Sequence, residues 1–191
     1  MTLSHYDFVL RGLLTEEALD RAGRTSTNFS GIDDLEIAGA LSLDLLDEER
    51  LKTAKQMAVV YSAIATFENS VRDLIAKVLL AELGEDWWEK GVSEKIRKNA
   101  DAKIKEEEKI RWHKRRGTDP LNYTSLPDLV SIIRNTWPKM EPYVNSVEWV
   151  ASIFDVVERS RNVIMHSGVL EKEDIQRLGM NIRDWVKQVG A

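Results

Sequence analysis

The sequence predicts an all-α protein, because helical periodicity runs through most of its length and no segment shows the apolar–polar alternation of a half-buried strand. Helix caps and breakers also fall between the periodic stretches rather than inside them. Its 191 residues suffice for one domain with a real core and a short appendage. Apolar residues at 43% and charged residues at 31% are the proportions of a globular chain, not a disordered one. The absence of cysteine excludes disulfides, thiolate metal sites and cysteine nucleophiles. No basic start precedes an apolar run, and no window approaches the roughly 18 apolar residues of a membrane span. A cytoplasmic protein without a membrane partner is expected.

The elements follow in order. Residues 4–21 read as a first helix with Phe8, Leu13 and Leu19 inward, and residues 22–31, rich in Ser, Thr, Asn and Gly, as a loop. An acidic, weakly helical segment covers residues 32–46. A long helix is predicted over 48–83, where Val60, Ile64, Phe67, Val71, Leu74, Ile75 and Val78 recur at three- and four-residue steps to make one core face. Gly84 ends it. Trp87 and Trp88 lie in a short connector, a highly charged helix spans 93–114, and 117–124 is a loop. Ser125 begins a further helix with capping-box spacing to Asp128, Pro127 being tolerated in the first turn. That helix carries Leu129, Ile132 and Ile133 and breaks before Pro138. A major helix covers 146–166 and stops at Gly168, and a last one covers 172–189. These elements divide the chain into an acidic helical N-terminal extension, residues 1–50, and a helical bundle, residues 51–191.

Charge is unevenly spread. The net value of −5 argues against broad, non-specific binding of nucleic acid. Residues 1–50 hold eleven acids and four bases, whereas residues 93–117 hold ten bases and five acids. Within the basic stretch, Arg111, Lys114, Arg115 and Arg116 surround Trp112, a composition that suits phosphates beside a stacked base. The same residues also suit a solvated helix end whose cations favour the C-terminal dipole. Glu106, Glu107 and Glu108 read as solvated helix surface. Trp87, Trp88, Trp137, Trp149 and Trp185 read as core or interface anchors, with Trp149 and Phe154 inside the bundle or across a dimer.

Chemistry concentrates in the run from Glu158 to Gly168. Asn162 and His166, four residues apart, stack on one helix face, with Glu158 four residues earlier on that stripe. Arg161 lies roughly 140° round the axis from His166, so one helix does not easily aim both at one atom, and a second copy across a symmetric interface supplies the missing group. A histidine with an ordinary pKa near neutrality moves protons to and from ribose and phosphate-ester oxygens. A guanidinium grips two phosphate oxygens and stabilises charge building in the transition state. An Arg and a His near a helix end also do no more, in many proteins, than complement the dipole. His5 and His113 are isolated, no histidine has a second metal ligand at helical spacing, and no glycine-rich phosphate loop exists, so neither metal nor cofactor is expected.

Arg161, Asn162 and His166, close to a helix end and followed by one last helix, resemble the signature of the HEPN superfamily. That signature is an Arg, a polar residue that is often Asn, three to five more residues, then a His. The 67–75 segment around Glu68 and Arg72 resembles the first long helix of a HEPN subgroup, and 123–133 followed by Trp137 resembles its middle helix. The same subgroup forms the C-terminal domain of a eukaryotic nuclear mRNA-surveillance endonuclease. The resemblance covers about residues 57–185. It implies a four- to five-helix bundle that dimerises to bring two Arg/His motifs into one cleft, and a metal-independent endoribonuclease of the kind found among toxins and antiviral effectors. By this resemblance Arg161, Asn162 and His166 are the catalytic residues, with RNA as substrate and a protein inhibitor or regulatory partner as a further expectation. HEPN toxins silenced by tyrosine adenylylation carry Tyr two residues after the histidine. Gly168 stands there in this chain, which puts that control in doubt. A non-catalytic HEPN module binding RNA or a protein, and a structural helical adaptor, remain the alternative expectations.

Overall fold

The longest helix shows how local chemistry sets the element boundaries. In the computed structural model, which describes residues 33–190, helix α2 spans Glu48–Leu83. Glu48 and Glu49 in its first turn favour the positive end of the helix dipole. Gly84 closes it at φ 75°, a left-handed conformation that glycine adopts without steric cost. Before it lie α1, Asp34–Ala40, and a 3-10 turn, Leu43–Leu45, neither of which buries a residue. Asp33 caps α1 by accepting the Glu36 N–H at 2.7 Å. The expected helix over 4–21 and loop over 22–31 lie outside the described residues.

After α2 come α3, Trp87–Gly91, and α4, Glu94–Glu108. The Trp87–Trp88 connector is thus itself one turn of helix, with the two rings edge to face at 5.6 Å. The charged helix stops at Glu108, not near Lys114, and the basic cluster is a loop that folds back on the helix. Its arginines pair with Glu107 and Glu108 of the last turn, and the Arg116–Glu107 pair, which a continuing helix would put on opposite sides of its axis, requires the turn. A 3-10 turn, Pro120–Tyr123, is capped by the Asp119 carboxylate and leads to α5, Leu126–Asn135. The Ser125–Asp128 capping box forms in both directions, and Pro127 sits in the first turn. The chain breaks at Thr136 and restarts as α6, Trp137–Met140, then α7, Val147–Met165, with Ser146 as N-cap, and α8, Lys172–Val189.

All eight α-helices among the described residues are joined without a strand, and five of them have ten or more residues. The protein is all-α. The chain divides into two units, Met1–Leu51 and Lys52–Ala191. The core of the second is built from Ile64, Phe67, Val71, Ile75 and Val78 of α2, with α5, α7 and α8 contributing Ile132, Val157 and Leu178 among others. Val60 and Leu74, on the flanks of the α2 stripe, are only partly buried. Phe67, Phe154 and Trp185 meet with ring centroids 5.4–5.6 Å apart, and Trp149 stacks on Trp185 at 5.7 Å. Each fully buried side chain of this size contributes about 1.5–3 kcal/mol by leaving water. Among the described residues, no helix is long and apolar enough to cross a membrane.

Candidate functional site

Arg161 enters α7 one turn before its end, and α7 presents it to α2. Its Nε forms an ion pair with Glu68 Oε1 at 3.2 Å. Glu68 is only 13% exposed, and its second oxygen accepts from Arg72 Nη2 at 3.1 Å. Arg72 also donates to the Asn69 side-chain oxygen at 3.4 Å and to the Thr124 carbonyl at 3.3 Å, which ties α2 to the end of the 3-10 turn. One carboxylate therefore bridges two guanidinium groups. Arg72 Nε is buried without a hydrogen-bond partner.

These residues line a cleft of about 430 Å³ within the second unit. Lys103 and Arg116 line it as well, so four cations face two carboxylates, Glu68 and Glu158, a local net charge of +2 in a chain of −5. Lys103 Nζ donates to the Tyr123 carbonyl at 2.8 Å and holds the 3-10 turn in place. Arg116 pairs through Nε with Glu107 Oε1 at 2.6 Å and lies 4.9 Å over the Tyr123 ring. The Tyr123 hydroxyl donates to Glu107 Oε2 at 3.0 Å. Partial burial acts to raise the Glu107 pKa, but the hydrogen bonds from Arg116 and Tyr123 outweigh it and hold the carboxyl below its ordinary value. Burial, with Glu107 alongside, pushes the Tyr123 hydroxyl upward. Glu107 is thus a structural anchor rather than plain solvated surface. A carboxylate flanked by Glu106 and Glu108 in an alternating charge run gives no local sign of that role, since its partners Arg116 and Tyr123 are nine and sixteen residues away.

The remaining predicted residues lie elsewhere. Asn162 and His166 are exposed and do not line the cleft, so only Arg161 of the three-residue motif reaches it within one chain. His166 is the C-cap of α7, its backbone N–H bonded to the Asn162 carbonyl at 3.2 Å, and its imidazole has no partner among the described residues. The helix ends in a left-handed cap: Ser167, at φ 60°, donates to Ile164 O at 3.0 Å and Gly168 to Val163 O at 2.8 Å. A Cβ at Gly168 would sit 2.8 Å from that Val163 carbonyl oxygen, so the cap has no room for a side chain at position 168. Of the basic cluster, only Arg116 lines the cleft. Arg115 pairs with Glu108 at 2.9 Å, while Arg111 and Lys114 are exposed. Trp112 is 86% exposed, its ring edge-on to His113 at 5.6 Å. Among the described residues, no group of three His, Asp or Glu side chains is placed to hold a metal.

Comparison of the chain with protein families, with curated proteins and with solved structures returns no match.

Proposed function

We propose that this chain is a metal-independent endoribonuclease of HEPN type, built as a homodimer with a composite site and serving as a toxin or antiviral effector. The observation that carries the reading is the division of labour at one helix end. Arg161 lines a cationic cleft, and five residues later His166 stands exposed with a free imidazole. Exposed Val163, Met165 and Val169 surround that helix end, an apolar rim suited to a second copy. Facing copies would bring the imidazole of one to the guanidinium of the other.

The chemistry then follows from the groups present. One imidazole accepts the ribose 2′-hydroxyl proton as the 2′-oxygen attacks the adjacent phosphorus. The bond to the 5′-oxygen breaks, and that oxygen takes up the proton which the same imidazole has just accepted, leaving a 2′,3′-cyclic phosphate and a 5′-hydroxyl. Arg161 offsets the charge that accumulates on the non-bridging oxygens, while Asn162 orients an imidazole and the exposed Trp112 gives an RNA base a stacking surface beside Arg111, Lys114 and Arg115.

A second reading, a HEPN-type module that binds RNA or a protein without cutting, is favoured by one observation: His166 does not share the cleft with Arg161 in a single chain. Purified protein incubated with total RNA in EDTA separates the two. The nuclease reading expects cleavage with cyclic phosphate ends, abolished by His166→Ala. Cleavage that stops on chelation and returns with magnesium sinks the proposed chemistry, and intact RNA with tight binding selects the second reading.

A further inference from the structure

Two arginines of the cleft each pair through Nε with a carboxylate on another part of the chain, Arg116 by a hydrogen-bonded ion pair and Arg161 by an ion pair alone. Arg161, on α7, is tied through Nε to Glu68, and Arg116, on the loop after α4, is tied through Nε to Glu107. Each carboxylate is less exposed than the arginine it holds: 13% for Glu68 against 42% for Arg161, and 22% for Glu107 against 50% for Arg116. Each also has a second donor that fixes its own position, Arg72 for Glu68 and the Tyr123 hydroxyl for Glu107. Among the described residues the terminal amino groups of neither arginine make a hydrogen bond, although the Arg116 guanidinium lies over the Tyr123 ring.

An untethered surface arginine gives up its rotamer freedom when it is fixed on a ligand. Here the tether restricts the side chain in advance and leaves the pair of Nη groups, the fork that matches two oxygens of a phosphate. We infer that the cleft is a phosphate-ester site gripped by Arg116 and Arg161, with Glu68 and Glu107 as positioning residues. The inference deepens the nuclease reading by naming where the substrate backbone is held, and rests on that reading only for the ligand's being RNA. What this adds is the pairing of Arg116, already suited to phosphates by composition, with Arg161 in one cleft, since 45 positions separate the two and no spacing links them.

Substituting the two carboxylates tests the clamp by the sign of the effect. Removing a negative charge from a cleft that attracts anions by charge alone tightens binding. Removing a tether from a pre-set fork weakens it. The full-length protein is titrated calorimetrically at two salt concentrations with a 2′-O-methyl RNA oligonucleotide, which cannot be cleaved, and separately with AMP. Arg116→Ala and Arg161→Ala are expected to weaken oligonucleotide binding by about tenfold or more each. Glu107→Gln and Glu68→Gln are expected to weaken it several-fold, and Arg116→Lys is expected not to rescue. If Glu68→Gln fails to fold, as thermal melting reports, Glu107→Gln at the end of α4 carries the test. AMP bound with the same pattern of losses makes the ligand a free nucleotide phosphate, while binding of the oligonucleotide alone makes it the polymer backbone. No binding of either probe, or tighter binding by the Gln variants, overturns the clamp. A protein that binds the oligonucleotide through these residues yet never cuts RNA removes the nuclease reading and leaves the clamp standing. A protein that cuts RNA while Arg116→Ala binds as wild type does the reverse.

Discussion

Glu107 shows how much a single carboxylate can organise. It receives the Arg116 side chain, the Arg116 backbone N–H at 3.2 Å and the Tyr123 hydroxyl, and so joins the end of α4, the basic loop and the 3-10 turn. Its folded-state pKa is lowered, so the stabilisation it contributes is complete above the ordinary glutamate value of about 4.3 and is lost as pH falls through the lower folded value. Melting temperature measured from pH 7 down to pH 3 is expected to fall less steeply at the acid end in Glu107→Gln than in wild type. Parallel curves would mean that Glu107 is not coupled to folding. His166 makes the opposite case, since exposure and a free imidazole are what a proton-transfer group needs and what a core histidine lacks. For the proposed nuclease, His166→Ala is expected to lower the single-turnover rate by roughly 10²–10⁴ with RNA affinity nearly unchanged. Equal losses in rate and affinity would assign His166 to binding instead.

The helix ends carry the next level of information. Helix α7 stops because Ser167 turns left-handed and Gly168 lets the chain pass close to the Val163 carbonyl. A non-glycine residue in that conformation costs on the order of 1 kcal/mol, so Ser167→Gly is expected to raise unfolding free energy by about that amount. Gly168→Ala is expected to lower it, since the cap must open to admit a Cβ. Denaturant melts of the two variants check both signs, and an unchanged Ser167→Gly midpoint would contradict the cap. Much of this was legible in the sequence. The limits of α2 and α8, the Ser125–Asp128 box and the stop of α7 near Gly168 all depend on residues within one turn of each boundary. The end of α4 was not legible, because charged residues favour continued helix locally and the loop is set by pairs such as Arg116–Glu107 that close only when the chain folds back. For the same reason Arg161 could be picked out from its spacing, but its pairing with Glu68, almost a hundred residues earlier and shared with Arg72, could not.

For the whole molecule, core and cleft share one framework. Phe67 sits one residue before Glu68 on α2, its ring against Phe154 of α7 and Trp185 of α8, so the packing that buries the aromatic ring fixes the rotation of α2 that points Glu68, about 100° further round the axis, at Arg161. Phe67→Ala is expected to cost about 3–5 kcal/mol in a denaturant melt, whereas a loss below about 1 kcal/mol would place the cluster outside the cooperative core. The proposed composite site makes the most direct demand on the molecule, because it requires Arg161 of one copy and His166 of the other. Arg161→Ala and His166→Ala proteins, each inactive alone, are mixed under conditions that allow subunit exchange and assayed on RNA in EDTA. In a mixed dimer one of the two sites regains both groups, so random exchange predicts recovery of about a quarter of wild-type activity. No recovery, with exchange verified by light scattering of tagged partners, would contradict the account.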